Sequence, residues 1–275
     1  MDSTKRTVFF ISDGTGITAE MMGNSLLTQF DNVQFKKVLT PFVKDEARAR
    51  AAVDEINLAA EKDGHPPIVF STLVNDSLES IIKKSQGTCF NFFSIFLQPL
   101  EQALGVSSSY SVGKYHSGSA SDSYLRRIDA INYALDNDDG QNIKNYEEAD
   151  IILVGVSRSG KTPSSLYLAM QFGIKAANYP ITEEDMEDRS LPRALQPYKQ
   201  KLFGLTIDAE RLSAIRNARR ANSRYSSIMR CEDEVRNVEV MLRKASVPIL
   251  DTTDASVEEI ATQILLKTGL KRVDL

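Results

Sequence analysis

A chain of 275 residues, 42% of them hydrophobic and 25% charged, is long enough for one large or two ordinary domains with proper cores. Its formal net charge of -4 gives no basic footprint and argues against nucleic acid as a partner. Two cysteines, Cys89 and Cys231, and two histidines scattered singly supply neither a disulfide framework nor a metal set, which points to a reducing compartment.

The polar start, residues 1–7, runs straight into Val8-Phe9-Phe10-Ile11, which is too short for a signal-peptide core. The most apolar run, residues 90–100, is interrupted by Asn91, Ser94 and Gln98 and falls short of a membrane span. The expectation is a cytoplasmic protein that does not enter a membrane.

Residues 7–105 alternate strand-like and helix-like segments. Strands are predicted near 8–11, 34–43 and 67–73, and helices near 18–28, 45–61, 76–86 and 90–104. That alternation predicts a parallel α/β domain over residues 1–106. Asp13-Gly14-Thr15-Gly16 falls between the first strand and its helix, where open α/β sheets bind ligands. Glycines and an aspartate are equally what any tight strand-to-helix turn uses.

Residues 107–123 contain eight serines and two glycines, the composition of a linker or mobile loop, and the domain boundary is placed there. His116 lies inside it, and a single loop histidine is more often solvated than catalytic. Beyond it Leu125, Ile128, Ile131, Ala134 and Leu135 mark an amphipathic helix that closes at Asp138-Asp139-Gly140. The paired carboxylates read there as a helix-end turn.

The second domain, residues 124–275, is organised around Gly155-Val156-Ser157-Arg158-Ser159-Gly160-Lys161-Thr162, which satisfies the phosphate-loop pattern G-x-x-x-x-G-K-[ST]. An apolar run, Ile151 to Val154, enters it, and Leu166, Ala169, Met170 and Phe172 follow at helical spacing until Gly173. Pro163 sits in the first turn, where a missing N–H matters little. The glycines let backbone amides converge on an anion, and the helix N-terminus adds to the field. Lys161 is then expected on the terminal phosphate, Thr162 on Mg²⁺, and the planar fork of Arg158 on a phosphate oxygen. The predicted fold is therefore an N-terminal α/β domain followed by a P-loop kinase-like α/β domain.

Further along come a short strand at 174–179, an acidic segment at 183–188, and the apolar run 202–207 ending on Asp208. Asp208 has the place of a Walker B carboxylate that shares Mg²⁺ with Thr162; it is equally well placed as a helix cap. Arg216, Arg220 and Arg224 recur at helical spacing with no acids between them, a solvated face or a contact for phosphate or an anionic target. A strand at 247–250 and a capping box, Ser256 with Glu259, close the chain, and Asp251 is the second candidate carboxylate.

The extended phosphate-loop stretch GVSRSGKTPSSLYLAMQFGIKAANYP (155–180) resembles that of the phosphoenolpyruvate synthase regulatory proteins and the related pyruvate, phosphate dikinase regulatory proteins. The likeness extends to ISDGTGITAE at 11–20, LTPFVKDEARAR at 39–50, DDG at 138–140, KLFGLTID at 201–208, NSRYSS at 222–227 and SVEEIATQIL at 256–265. It implies a bifunctional enzyme that phosphorylates a threonine of phosphoenolpyruvate synthase with ADP as donor, inactivating it. The same protein would remove that phosphate with inorganic phosphate, releasing pyrophosphate. The synthase branch looks closer than the dikinase branch. Composition and spacing alone stop at a P-loop phosphotransferase, so a small-molecule kinase and a nucleotide-switched binding protein remain alternatives. The catalytic base, the roles of Asp13, His116 and Asp139, and the oligomeric state stay open, a homodimer among the options.

Overall fold

The computed structural model describes residues 4–109, 120–187, 190–220 and 223–271. The chain divides into two compact units, 1–118 and 119–275. His116 and most of the Ser-rich stretch lie outside the described residues.

The first unit has four parallel strands, β1 (Thr4–Ile11), β2 (Val33–Thr40), β3 (Ile68–Ser71) and β4 (Thr88–Asn91), in the order β2-β1-β3-β4. Parallel strands are covered on both faces and so read as unbroken apolar runs. Val8, Phe9, Phe10 and Ile11 of β1 are indeed all buried. Phe9, Ile11 and Val69 pack under α2 (Glu46–Asp63) and α3 (Asp76–Ile82). Val8, Phe10 and Phe70 face α1 (Ile17–Leu27) and Phe92, the first residue of α4 (Phe92–Leu104). Asp45 starts α2 by accepting the Arg48 amide at 2.8 Å, and Gly64 ends it in the left-handed region at φ 67°.

One element departs from the sequence expectation. Residues 90 and 91, expected as the start of a helix, belong to β4 at 88–91, with Phe70 opposite Phe90 in the ladder. The helix begins only after Asn91, whose side chain accepts the Ser94 amide at 2.9 Å. A continuous apolar run hides a strand-to-helix join, because the cap is its only punctuation.

The second unit repeats the plan with β5 (Ile151–Gly155), β6 (Ala176–Pro180), β7 (Leu202–Thr206) and β8 (Ile249–Asp251), all parallel, in the order β6-β5-β7-β8. Alternate β5 residues serve opposite faces. Ile152 and Val154 join a cluster with Val238, Met241 and Leu242 of α9 (Ile228–Lys244), against which Met186 of α7 (Glu183–Met186) packs. Ile151 and Leu153 join Leu168 and Phe172 of α6 (Lys161–Phe172) and Ile260 and Ile264 of α10 (Val257–Thr268). Each such side chain, fully buried, contributes roughly 1.5–3 kcal/mol. The helix α5 (Ala120–Asp136) lies on α6 through small residues, Ala130 and Ala134 against Ala169. The expected capping box holds at α10: Ser256 accepts the Glu259 amide, and Glu259 accepts the Ser256 amide.

In both units the earliest strand is central, its successor lies on one side and the third strand on the other. The chain therefore leaves β1 and β3, and again β5 and β7, in opposite directions. A crevice opens at the carboxyl end of such a pair. Among the described residues no helix is long and apolar enough to cross a membrane.

Candidate functional site

The loop at 155–162 leaves the carboxyl end of β5 directly beside β7. Gly155 closes β5, and a Cβ there would stand 2.2 Å from the Leu205 carbonyl oxygen, so only glycine lets the loop leave the sheet this close to β7. Arg158 (φ 77°) and Gly160 (φ 87°) both adopt the left-handed conformation. Alternation of this kind turns successive amides toward one point. Gly160 is also the N-cap of α6 and provides no side-chain bond to it, so the first-turn amides gain no cap from that residue. The Ser159 hydroxyl is fully buried in the loop without a hydrogen-bond partner. Thr252 ties the loop down by donating to the Ser159 carbonyl at 3.1 Å.

Lys161 is buried and folds back across the loop, its Nζ donating to the Val156 carbonyl at 2.8 Å. Burial pushes its ammonium down to about 8, against the attraction of Asp139 and Asp138, with Arg216 and Arg158 pushing the same way as burial. A buried cation whose hydrogen bond is to one backbone carbonyl is poised to exchange that carbonyl for an anion. Arg158 is exposed at the crest of the loop, near enough to Lys161 to oppose its charge.

The carboxylate that meets Thr162 is Asp138. The Thr162 hydroxyl donates to Asp138 Oδ1 at 2.9 Å. Asn178, buried on β6, fixes that geometry by donating from its side-chain amide to the same carboxylate oxygen and accepting the Asp139 amide at 3.0 Å. Asp139 (φ 49°) and Gly140 (φ 74°) make the turn, and Gly140 packs where a Cβ would crowd the Tyr179 ring. Composition and spacing offered this DDG triplet as a helix-end turn, because the residue that recruits it lies on another strand.

Asp208 makes a different set of contacts. It is the N-cap of α8 (Ala209–Arg219), accepting the Arg211 amide at 2.9 Å, while its own amide donates to Thr253. With Glu232, Glu239 and Asp251 it borders a separate exposed hollow. In the first unit Asp13 accepts the Val74 amide at 3.4 Å, and Ser12 and Thr72 share a hydroxyl hydrogen bond at 3.0 Å across the crevice of that sheet.

The three arginines do not form the expected stripe. The helix α8 ends at Arg219, Arg220 is its C-cap with extended backbone, and Arg224 begins a 3-10 turn (Arg224–Ser226), so the three do not share a helix face. Arg216 is fully buried and paired with Glu234 at 2.7 Å. The acid comes from α9, eighteen residues on, beyond the reach of a helical-spacing argument.

Among the described residues no group of three or more His, Cys, Asp or Glu side chains could hold a metal by itself. The hydroxyl of Thr162 and the carboxylate of Asp138 are adjacent hard oxygen donors. Such a pair suits Mg²⁺, which completes its shell with phosphate oxygens and water.

A family model described as kinase/pyrophosphorylase matches residues 8–265. Curated relatives align over 268 residues, 98% of this chain. They include a protein of Marinobacter nauticus at 57% identity over 99% of its length. Two more, from Hahella chejuensis at 56% and Pseudomonas fluorescens strain Pf-5 at 58%, each align over 98% of their length. All three bear the name "Putative phosphoenolpyruvate synthase regulatory protein".

Proposed function

The chain belongs to the kinase/pyrophosphorylase family, and from that premise we propose that it regulates phosphoenolpyruvate synthase by reversible threonine phosphorylation, with ADP as donor. The observation that carries the proposal is the loop at 155–162, with Lys161 buried inside it and Thr162 set on Asp138. These groups match a polyphosphate chain and its magnesium. They do not require a third phosphate.

In the forward direction the threonine oxygen attacks the β-phosphorus of ADP, the bond to the bridging oxygen breaks, AMP departs and the hydroxyl proton is released. In the reverse direction an oxygen of inorganic phosphate attacks the phosphothreonine phosphorus. The bond to the threonine oxygen breaks, that oxygen regains a proton, and pyrophosphate departs. The loop amides hold the phosphate, and Lys161 with Arg158 neutralises charge on the transferring group. Mg²⁺, when bound, supplies further neutralisation; Thr162 and Asp138 are the residues we assign to it, with Asp208 as the alternative carboxylate. Asp139 adds negative charge next to Lys161.

The test is incubation of the purified protein with phosphoenolpyruvate synthase and [β-³²P]ADP in Mg²⁺ buffer. Labelled threonine should appear together with an equal amount of AMP, and inorganic phosphate should then release the label as pyrophosphate. Modification by ATP freed of ADP, with ADP as product, would sink the donor assignment. Labelling of pyruvate, phosphate dikinase in preference to the synthase would reassign the target, and labelling of a small metabolite alone would point to an ordinary P-loop kinase.

A further inference from the structure

Ser157, at the crest of the phosphate loop, is held from outside the loop at two atoms. Its carbonyl oxygen accepts from Arg216 Nη2 at 3.1 Å, and its hydroxyl oxygen accepts from the Tyr225 hydroxyl at 2.9 Å. The two holders are joined to each other: Arg216 Nη1 donates to the Tyr225 carbonyl at 3.2 Å, and the guanidinium lies 4.1 Å from the centre of the Tyr225 ring. Glu234 fixes the guanidinium at 2.7 Å and is itself held by Arg230 at 2.8 Å. Arg216 is fully buried, so none of this is a solvated ion pair.

The next residue, Arg158, has φ 77° without being glycine. A left-handed non-glycine residue costs about 1–2 kcal/mol and persists where its surroundings fix it. The strain sits one residue beyond the doubly held Ser157, and it is the turn that aims the following amides inward.

We propose that Arg216 and Tyr225 are positioning residues of the phosphate loop: they grip Ser157 so that Arg158 stays left-handed and the loop amides converge before any phosphate arrives. The proposal rests on the reading that residues 155–162 bind phosphate. A loop preorganised in this way binds without first having to order itself. Tyr225 lies in the segment that follows α8, so the phosphate-binding geometry depends on a part of the chain far from the loop in sequence.

The test is equilibrium binding of ADP and of inorganic phosphate to the full-length protein by calorimetry, with thermal unfolding recorded for every variant. Tyr225→Phe keeps the ring under the guanidinium and removes only the hydroxyl. It should weaken binding of both probes by about threefold to tenfold, the worth of one hydrogen bond. Ser157→Ala should do the same, and the double variant should be no weaker than either single one. Arg216→Lys keeps the charge against Glu234 but gives up the fork; where it folds, it should raise KM for ADP more than it lowers kcat. Unchanged affinity in Tyr225→Phe, or effects in the double variant that simply add, would overturn the proposal and leave the cluster a purely structural one. Lys161→Ala separates the underlying reading: if that variant binds ADP and phosphate normally, the loop is not the phosphate site and the proposal falls with it.

Discussion

Thr162 and Asp138, twenty-four residues apart, share a 2.9 Å hydrogen bond where the loop at 155–162 meets α6, and Asn178 on a third element holds the carboxylate in place. Asp138→Asn keeps the shape and removes the charge. We expect turnover to fall by about a hundredfold, with the Mg²⁺ concentration for half-maximal rate rising, as is usual when an electrostatic partner of a transferring phosphate is lost. Asp208→Asn should keep near-normal turnover, since asparagine caps a helix about as well as aspartate. Titration of rate against Mg²⁺ in both variants decides between the two carboxylates.

The position of Lys161 sets a pH dependence. Its ammonium is held at about 8 in the folded protein against an ordinary 10.5, so between those values the unfolded chain binds more protons. Stability of the ligand-free protein should therefore rise as the pH increases from about 8 to about 10.5. Phosphate affinity should run the other way and fall toward tenfold per pH unit above about 8, because the neutral amine no longer attracts an anion. Lys161→Met should abolish phosphate transfer while raising the melting temperature. Calorimetry across this pH range and a melting curve of the variant check all three.

Gly155 is fixed by close approach. A methyl group there would stand 2.2 Å from the Leu205 carbonyl and must force β5 away from β7. Gly155→Ala should cost about 3 kcal/mol or more, as overpacking at a backbone contact does. Gly64→Ala is the control, since its Cβ meets only open space and the φ of 67° is the sole penalty, about 1 kcal/mol. Urea unfolding of the two variants measures the difference.

The arginines separate by burial. Arg216→Gln leaves Glu234, now without its closest cation, largely enclosed, and should destabilise by about 3–5 kcal/mol. Arg220→Gln and Arg224→Gln should each change stability by less than about 0.5 kcal/mol, as surface substitutions do. Chemical denaturation of the three single variants tests this.

Much of the plan was legible in the sequence, because parallel strands and their crossover helices announce themselves by periodicity and caps. The run at 151–154, the stop at Gly173 and the box at Ser256 each appear where their chemistry put them. What escaped was tertiary. The pairing of Arg216 with Glu234 joins two helices, and the placing of Asp138 on Thr162 depends on Asn178. Helical spacing alone carries an arginine stripe past the end of α8, whose last turn has neither glycine nor proline to mark it. The strand β4 was lost inside an apolar run that served two elements in succession.

The central place of β5 has a consequence for the order in which the molecule is made. On the ribosome, β5 and the phosphate loop emerge before either neighbouring strand, and before Arg216, Tyr225 and Thr252 exist to hold the loop. A nascent chain that stops after α6 carries the whole motif in its sequence and none of these three supports. Competence to hold phosphate should therefore arrive late and abruptly, once the segment through β8 has left the exit tunnel. Truncated chains tethered to the ribosome should show no affinity for ADP until that length is reached.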